Sequence, residues 1–257
     1  MATFPPGTVV AFLTHSGVRN SAVWDEFFRG CAEPVARYVY NHARDGNGID
    51  LRFIATMVHI MARITVACLN ATWVQFVSDT CIPVQTCPEY MARLRESDST
   101  FITTPKSSQW VTIRADQLRS NVPRFARHVA QFSGLVGDSN GCHGDAKRGT
   151  EIWVPPTWGA FDEYVLAEYW SAYALVHKND TLTYVRWEHE KNGHPDAFGR
   201  SNWRKHLSDA RNSGFYFMRK IKVGLAASDW RLAMIEDSIK RQLPGKAAFY
   251  KNSKLKV

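Results

Sequence analysis

Two groups of residues in this 257-residue sequence have the types and spacing that chemistry needs. Asp162-Glu163 stands between the turn Trp158-Gly159 and an apolar stretch of helical character. A carboxylate projecting from a helix N-terminus into a cleft stays ionised and accepts the proton of an incoming hydroxyl, which is the work of a general base. The competing assignment is a helix cap. Arg200, Arg204, Lys205, Arg219, Lys220 and Lys222 spread cations over two adjacent elements. Such a set makes a phosphate-binding wall; a solvated charge run is the alternative. Trp187, at a strand end ahead of the turn His194-Pro195, offers an aromatic platform for a sugar face, although tryptophan more commonly fills a core. Glu188-His189-Glu190 comes nearest to a metal cluster, but alternation on a strand puts its two carboxylates on one face and His189 on the other. A solvated strand end is the better reading there.

Several chemistries are excluded. The sequence contains no Gly-rich dinucleotide fingerprint, no P-loop, no Gly-x-Ser-x-Gly elbow and no His-Glu-x-x-His. It also contains no Asp-x-Asp. That absence is informative for a nucleotide-sugar enzyme, where paired aspartates usually hold the divalent ion that neutralises the diphosphate. Asn70-Ala71-Thr72 and Asn179-Asp180-Thr181 fit the glycosylation sequon and are read as chance.

The elements that must position these residues alternate between strand and helix. After Pro5-Pro6-Gly7, the run Val9 to Leu13 reads as a buried strand. Ser21 can cap a helix carrying Trp24, Phe27, Phe28 and Cys31 at helical spacing, and Pro34 ends it before the strand Val35 to Tyr40. Leu51 to Leu69 predicts a helix, Trp73 to Val77 a buried strand, Pro88 to Arg95 a short helix, Phe101 to Thr103 an edge strand and Gln109 to Ile113 a strand. A helix through Leu118, Val122 and Phe125 follows, and the Gly-rich stretch Val136 to Thr150 reads as an exposed loop or lid. Phe161 to Val176 reads as helix, Leu182 to Trp187 as strand, Trp203 to Arg211 as helix, Phe215 to Met218 as strand, and Ala233 to Lys256 as a basic helix with a loose Lys-rich end. The pattern predicts one domain over residues 1–257, an α/β/α sandwich with a mainly parallel sheet. Ligands of such sheets bind at the carboxyl ends of the strands, which selects the loops after Leu13, Tyr40, Val77 and Val185 as the functional rim.

An apolar content of 45% can fill a sizeable core, which excludes disordered and fibrous classes. The formal charge of +8 favours an anionic partner: nucleic acid, phosphate ester or membrane surface. Five cysteines, an odd number with no Cys-x-x-Cys, suggest neither a complete disulfide framework nor a four-thiolate zinc site, and a reducing compartment is the simpler reading. No run approaches the roughly 18 apolar residues of a membrane span, and the N-terminus lacks a signal peptide's pattern. A soluble, unanchored protein is expected.

Short motifs, taken in order, resemble the core 2/I-branching family of glycosyltransferases (glycosyltransferase family 14), most closely its plant branch. Val10-Ala-Phe-Leu-Thr14 with Trp24-Asp-Glu-Phe-Phe28 looks like the family's first strand and helix, and Tyr38-Val-Tyr-Asn-His-Ala43 like its second strand. Phe76-Val-Ser-Asp-Thr-Cys-Ile-Pro-Val84 is very close to the plant branch's strand and loop, and Ser107-Ser-Gln-Trp110 matches its Gly-Ser-Gln-Trp element. Asp162-Glu-Tyr164 resembles the catalytic element. Thr183-Tyr-Val-Arg-Trp187 with His194-Pro195 is similar to Thr-Tyr-Val-Asp-Trp and His-Pro, and Phe217-Met-Arg-Lys-Ile221 to Phe-Ala-Arg-Lys-Phe. The matches span roughly Val9 to Ile221.

The resemblance implies a GT-A-type fold and metal-independent, inverting transfer from a UDP-sugar to a hydroxyl of a glycan or glycoprotein acceptor, giving a β-glycoside. By motif position it makes Glu163 the catalytic base, Lys220 a diphosphate ligand assisted by Arg219 or Arg200, and Trp187 an acceptor contact. His15, Asp45, Ser78 and Asp79 are expected on the donor and nucleoside side, and Gln109, Trp110 and Asp162 on the acceptor side. Two departures stand out. Arg44 replaces the acidic residue that commonly follows the second strand, with Asp45 one place later, and the family's membrane anchor and stem are absent. The chain therefore looks like a compact cytoplasmic version, as a microbe or large virus encodes. UDP-xylose is favoured over UDP-N-acetylglucosamine because bulky Trp and Tyr residues surround the motif positions. The rival expectation is a basic nucleic-acid-binding module without catalysis, motivated by the charge and the basic tail.

Overall fold

The computed structural model describes residues 7–14, 17–41, 70–102, 110–121, 177–179, 181–186 and 196–242. Strand β1 (Gly7–Thr14) is a continuous apolar run because it lies between two parallel neighbours, β2 (Val35–Asn41) and β3 (Ala71–Ser78). Val9, Val10, Ala11 and Phe12 are fully buried. Gly7 begins β1 at φ +145°, where a Cβ would collide with the Pro34 carbonyl oxygen; only glycine permits this approach of β1 to the start of β2.

The main sheet has the order β2-β1-β3-β6-β5-β7, with β5 (Thr100–Ile102), β6 (Thr112–Arg114) and β7 (His177–Asn179). Strand β6 runs antiparallel to both β3 and β5, whereas β7 is parallel to β5. The sheet is therefore mixed, with β6 alone running against the other strands. Residues 103–111 are too few for the dozen or more that a parallel crossover needs, so β6 must return in the opposite sense. Phe101 sits inside the sheet and not on the expected edge, because β5 pairs with β6 on one side and β7 on the other. A second sheet, β4-β9-β8, joins β4 (Ile82–Pro83), β9 (Phe217–Met218) and β8 (Thr183–Tyr184).

Helix α1 (Ser21–Arg29) turns Val23, Trp24 and Phe27 inward, as the helical spacing predicts. Trp24 stacks on Phe217 at 5.7 Å and donates its indole N–H to the Cys81 carbonyl at 3.0 Å, so one side chain ties α1 to both sheets. The cap differs from expectation. Asn20, not Ser21, precedes the first turn, and its amide oxygen accepts from the Leu225 N–H instead of capping the helix. Helix α2 (Cys87–Arg95) begins in a reciprocal capping box between Thr86 and Glu89, with Pro88 in its first turn where no N–H is missed.

Helix α3 (Trp203–Asn212) packs beside α4 (Ala227–Gln242), which starts six residues before the predicted Ala233. The buried ion pair Arg211–Asp237, 3.0 Å, joins them, and Ser208 donates to the same carboxylate. One core cluster gathers Phe12, Trp24, Trp73, Tyr90, Phe101 and Trp110, and a second gathers Val23, Phe198, Trp203, Met218 and Trp230.

Cys31 and Cys87 form a disulfide between the end of α1 and the start of α2, with Cα atoms 5.1 Å apart. This bond weighs against the expected reducing compartment, because such cross-links persist in oxidising surroundings. Among the described residues no helix is long and apolar enough to cross a membrane. The helices expected over Leu51–Leu69 and Phe161–Val176 and the loop Val136–Thr150 lie outside the described residues.

Candidate functional site

The carboxyl end of β3 runs into the turn Ser78-Asp79-Thr80-Cys81. Ser78 Oγ lies 3.2 Å from both Thr80 Oγ1 and Cys81 Sγ, and the Cys81 N–H donates to the Ser78 carbonyl. The Arg19 N–H donates to the Asp79 carbonyl at 3.2 Å, tying in the segment between β1 and α1. From the other side the chain leaving β9 is anchored to the same turn, since the Ile221 N–H donates to the Thr80 carbonyl at 3.0 Å.

The segment Arg219-Lys220-Ile221 is fixed at every residue. The Arg219 N–H donates to the Tyr184 carbonyl at 3.0 Å, the Lys220 carbonyl accepts from Phe198 at 2.9 Å, and the Phe198 carbonyl accepts from Lys222 at 3.1 Å. Lys220 is held at φ +127°, a conformation that side-chain-bearing residues rarely adopt. Such backbone costs on the order of 1–3 kcal/mol and persists where surrounding structure over-determines it, characteristically at ligand clamps and active sites. The half-buried Arg219 guanidinium lies over the Trp110 ring, 4.0 Å from its centroid. Trp110 is itself pinned to the sheet, because the adjoining Val111 carbonyl accepts from the Phe76 N–H at 2.9 Å. Its buried indole N–H has no hydrogen-bond partner among the described residues.

Burial pushes the Cys81 thiol above its ordinary range; the Ser78 hydrogen bond and the Arg219 charge pull it down less strongly, and Asp79 adds to the rise. Arg219 and Asp79 thus act on one buried sulfur. Cys81 stays a neutral thiol, which removes it as a nucleophile.

Of the predicted site residues, the structure brings together Ser78, Asp79, Trp110, Arg219 and Lys220. Arg200 is exposed in a turn two residues beyond Phe198, stabilised by the Gly199 N–H donating to Asn202 Oδ1 at 2.8 Å. Arg204 is committed elsewhere, to Glu236 at 3.1 Å, which leaves Arg200 the better placed of the two. His15, Asp45, Gln109, Asp162, Glu163 and Trp187 lie outside the described residues, as do Glu188, His189 and Glu190.

Sequence reasoning missed the neck formed by Arg186 and Asp196. The Asp196 N–H donates to the Arg186 carbonyl at 2.8 Å, their side chains pair at 3.4 Å, and the Arg186 guanidinium lies 3.0 Å from His206 Nε2. The signal was the charge pattern itself: Arg186 stands where the resembling motif carries Asp. Among the described residues no group of His, Cys, Asp or Glu could hold a metal ion. The arrangement can present fixed cations and hydroxyl hydrogen-bonding groups to an anion at the end of the central strand. The sequence matches no protein-family model and no curated protein.

Proposed function

We propose that the protein is an inverting, metal-independent glycosyltransferase of GT-A type that moves a sugar, with xylose favoured over N-acetylglucosamine, from a UDP-sugar to a hydroxyl of a glycan acceptor. The supporting observation is the rigid, strained presentation of Arg219 and Lys220 beside the Ser78-Asp79 turn. Preorganised cations aimed at developing charge need no reorganisation during reaction. In this reading Glu163 removes the acceptor proton while the acceptor oxygen attacks the anomeric carbon of an α-linked donor. The bond to the UDP oxygen breaks in line, and Lys220, with Arg219 or Arg200, receives the diphosphate charge. Ser78 and Asp79 take donor hydroxyls; Trp187, Gln109, Trp110 and Asp162 line the acceptor side, and His15 and Asp45 the nucleoside side.

The phosphate contact is testable apart from catalysis. Lys220→Ala removes a charge-assisted bond of about 1.5–3 kcal/mol, so UDP affinity falls about tenfold or more while uridine binds unchanged. Titration calorimetry of both ligands into both proteins reads this directly. Equal UDP affinities would remove Lys220 from the phosphate contact.

A further inference from the structure

Arg219 and Trp110 come from different sheets. Arg219 follows β9, its N–H donating to the Tyr184 carbonyl of β8 at 3.0 Å; Trp110 stands just before β6 of the main sheet, 1% exposed in the core cluster that also holds Phe101 and Phe217. The guanidinium lies 4.0 Å from the centre of the Trp110 ring, whereas the other arginine–ring pairs between described residues lie at 5.0–5.9 Å. Backbone and side chain of Arg219 are thus both held, while Arg200 is exposed in a turn. The buried ring has almost no surface left for an acceptor sugar, and its indole N–H has no partner among the described residues, so the face turned to Arg219 is the part that acts.

We propose that Trp110 is a positioning residue: its ring holds the Arg219 guanidinium at the donor diphosphate, which makes Arg219 and not Arg200 the partner of Lys220. The proposal rests on the UDP-sugar reading, and it replaces the acceptor contact that the motif gives Trp110. Stacking engages the face of a guanidinium and not its N–H donors, which lie in the plane and grip a phosphate two at a time. An arginine already fixed in that pose gives up less rotamer freedom on binding than one that must be ordered from solvent. Arg219 also adjoins Lys220, whose strained backbone is tied to Phe198, and its charge acts on Cys81 in the turn at the end of β3.

Titration calorimetry of UDP and uridine into the full chain tests this. Trp110→Leu should weaken UDP binding about five- to tenfold and leave uridine unchanged, and Trp110→Phe, which keeps a ring face without the N–H, should recover most of that loss. In an Arg219→Gln background, itself about tenfold weaker for UDP, Trp110→Leu should add nothing, because the two residues act through one contact. Arg200→Gln should cost UDP affinity less than Arg219→Gln does, a comparison that leaves the core intact and carries the test if Trp110→Leu does not fold. With UDP still preferred by the wild type, four results would each overturn the proposal alone: UDP binding untouched by Trp110→Leu, UDP and uridine weakened alike, a Trp110→Leu loss that persists in Arg219→Gln, or a larger loss in Arg200→Gln than in Arg219→Gln. No preference of the wild type for UDP over uridine would remove the donor reading and the proposal with it.

Discussion

Lys220 pays for its position with a φ of +127° between two bonded neighbours, so its variants separate backbone from side chain. Lys220→Gly relieves the strain and should raise stability relative to Lys220→Ala by about 1 kcal/mol in denaturant unfolding, while both lose UDP affinity alike. If Ala and Gly were equally stable, the strain would be absent. Two buried groups set a second expectation. Cys81 and Tyr90 are both pushed above their ordinary values of 9.0 and 10.0, chiefly by burial. The folded state therefore keeps protons that the unfolded chain releases above about those values, so this contribution is fully present below pH 9 and is lost as pH rises further. Unfolding free energy measured from neutral to alkaline pH should fall, and a rise would contradict the burial of these groups.

The elements that the sequence made legible are those whose periodicity is local. Val9–Leu13 and Trp73–Val77 read as buried strands because parallel neighbours on both sides leave no polar alternation, and α1, α2 and α3 show their core-facing residues at helical spacing. Among the short strands β5, β6, β8 and β9 overlap predicted ones, but β4 and β7 did not announce themselves: they are defined by pairing with distant partners, and no local pattern marks His177–Asn179. The site was legible in part for the same reason. Ser78, Asp79, Arg219 and Lys220 sit in contiguous motifs, but the hydrogen bonds through Thr80 and Phe198 that unite them join residues far apart in sequence. The Cys31–Cys87 bond was hidden by an odd cysteine count, since only the packing of α1 against α2 shows which two meet. Closing a loop of 56 residues' separation restricts the unfolded chain, so Cys31→Ser/Cys87→Ser should cost about 4 kcal/mol. Thermal unfolding with and without reductant checks it: an unchanged transition would mean that the bond contributes nothing to stability.

At the scale of the whole molecule, the second sheet, through β9, brings the cationic segment Arg219-Lys220 to the turn at the end of β3 in the main sheet. That segment is assigned to the donor diphosphate, and the central claim is sugar transfer without a metal. The most direct measurement is UDP release from UDP-xylose and UDP-N-acetylglucosamine, with a glycan acceptor and EDTA present, by the wild type and Glu163→Gln. The account predicts acceptor-dependent release by the wild type in EDTA and a loss of roughly two to four orders of magnitude in Glu163→Gln, the scale for removing a general base. Strict dependence on added manganese, more than about a tenth of the activity retained by Glu163→Gln, or no turnover of any UDP-sugar together with steeply salt-dependent nucleic-acid binding would contradict it.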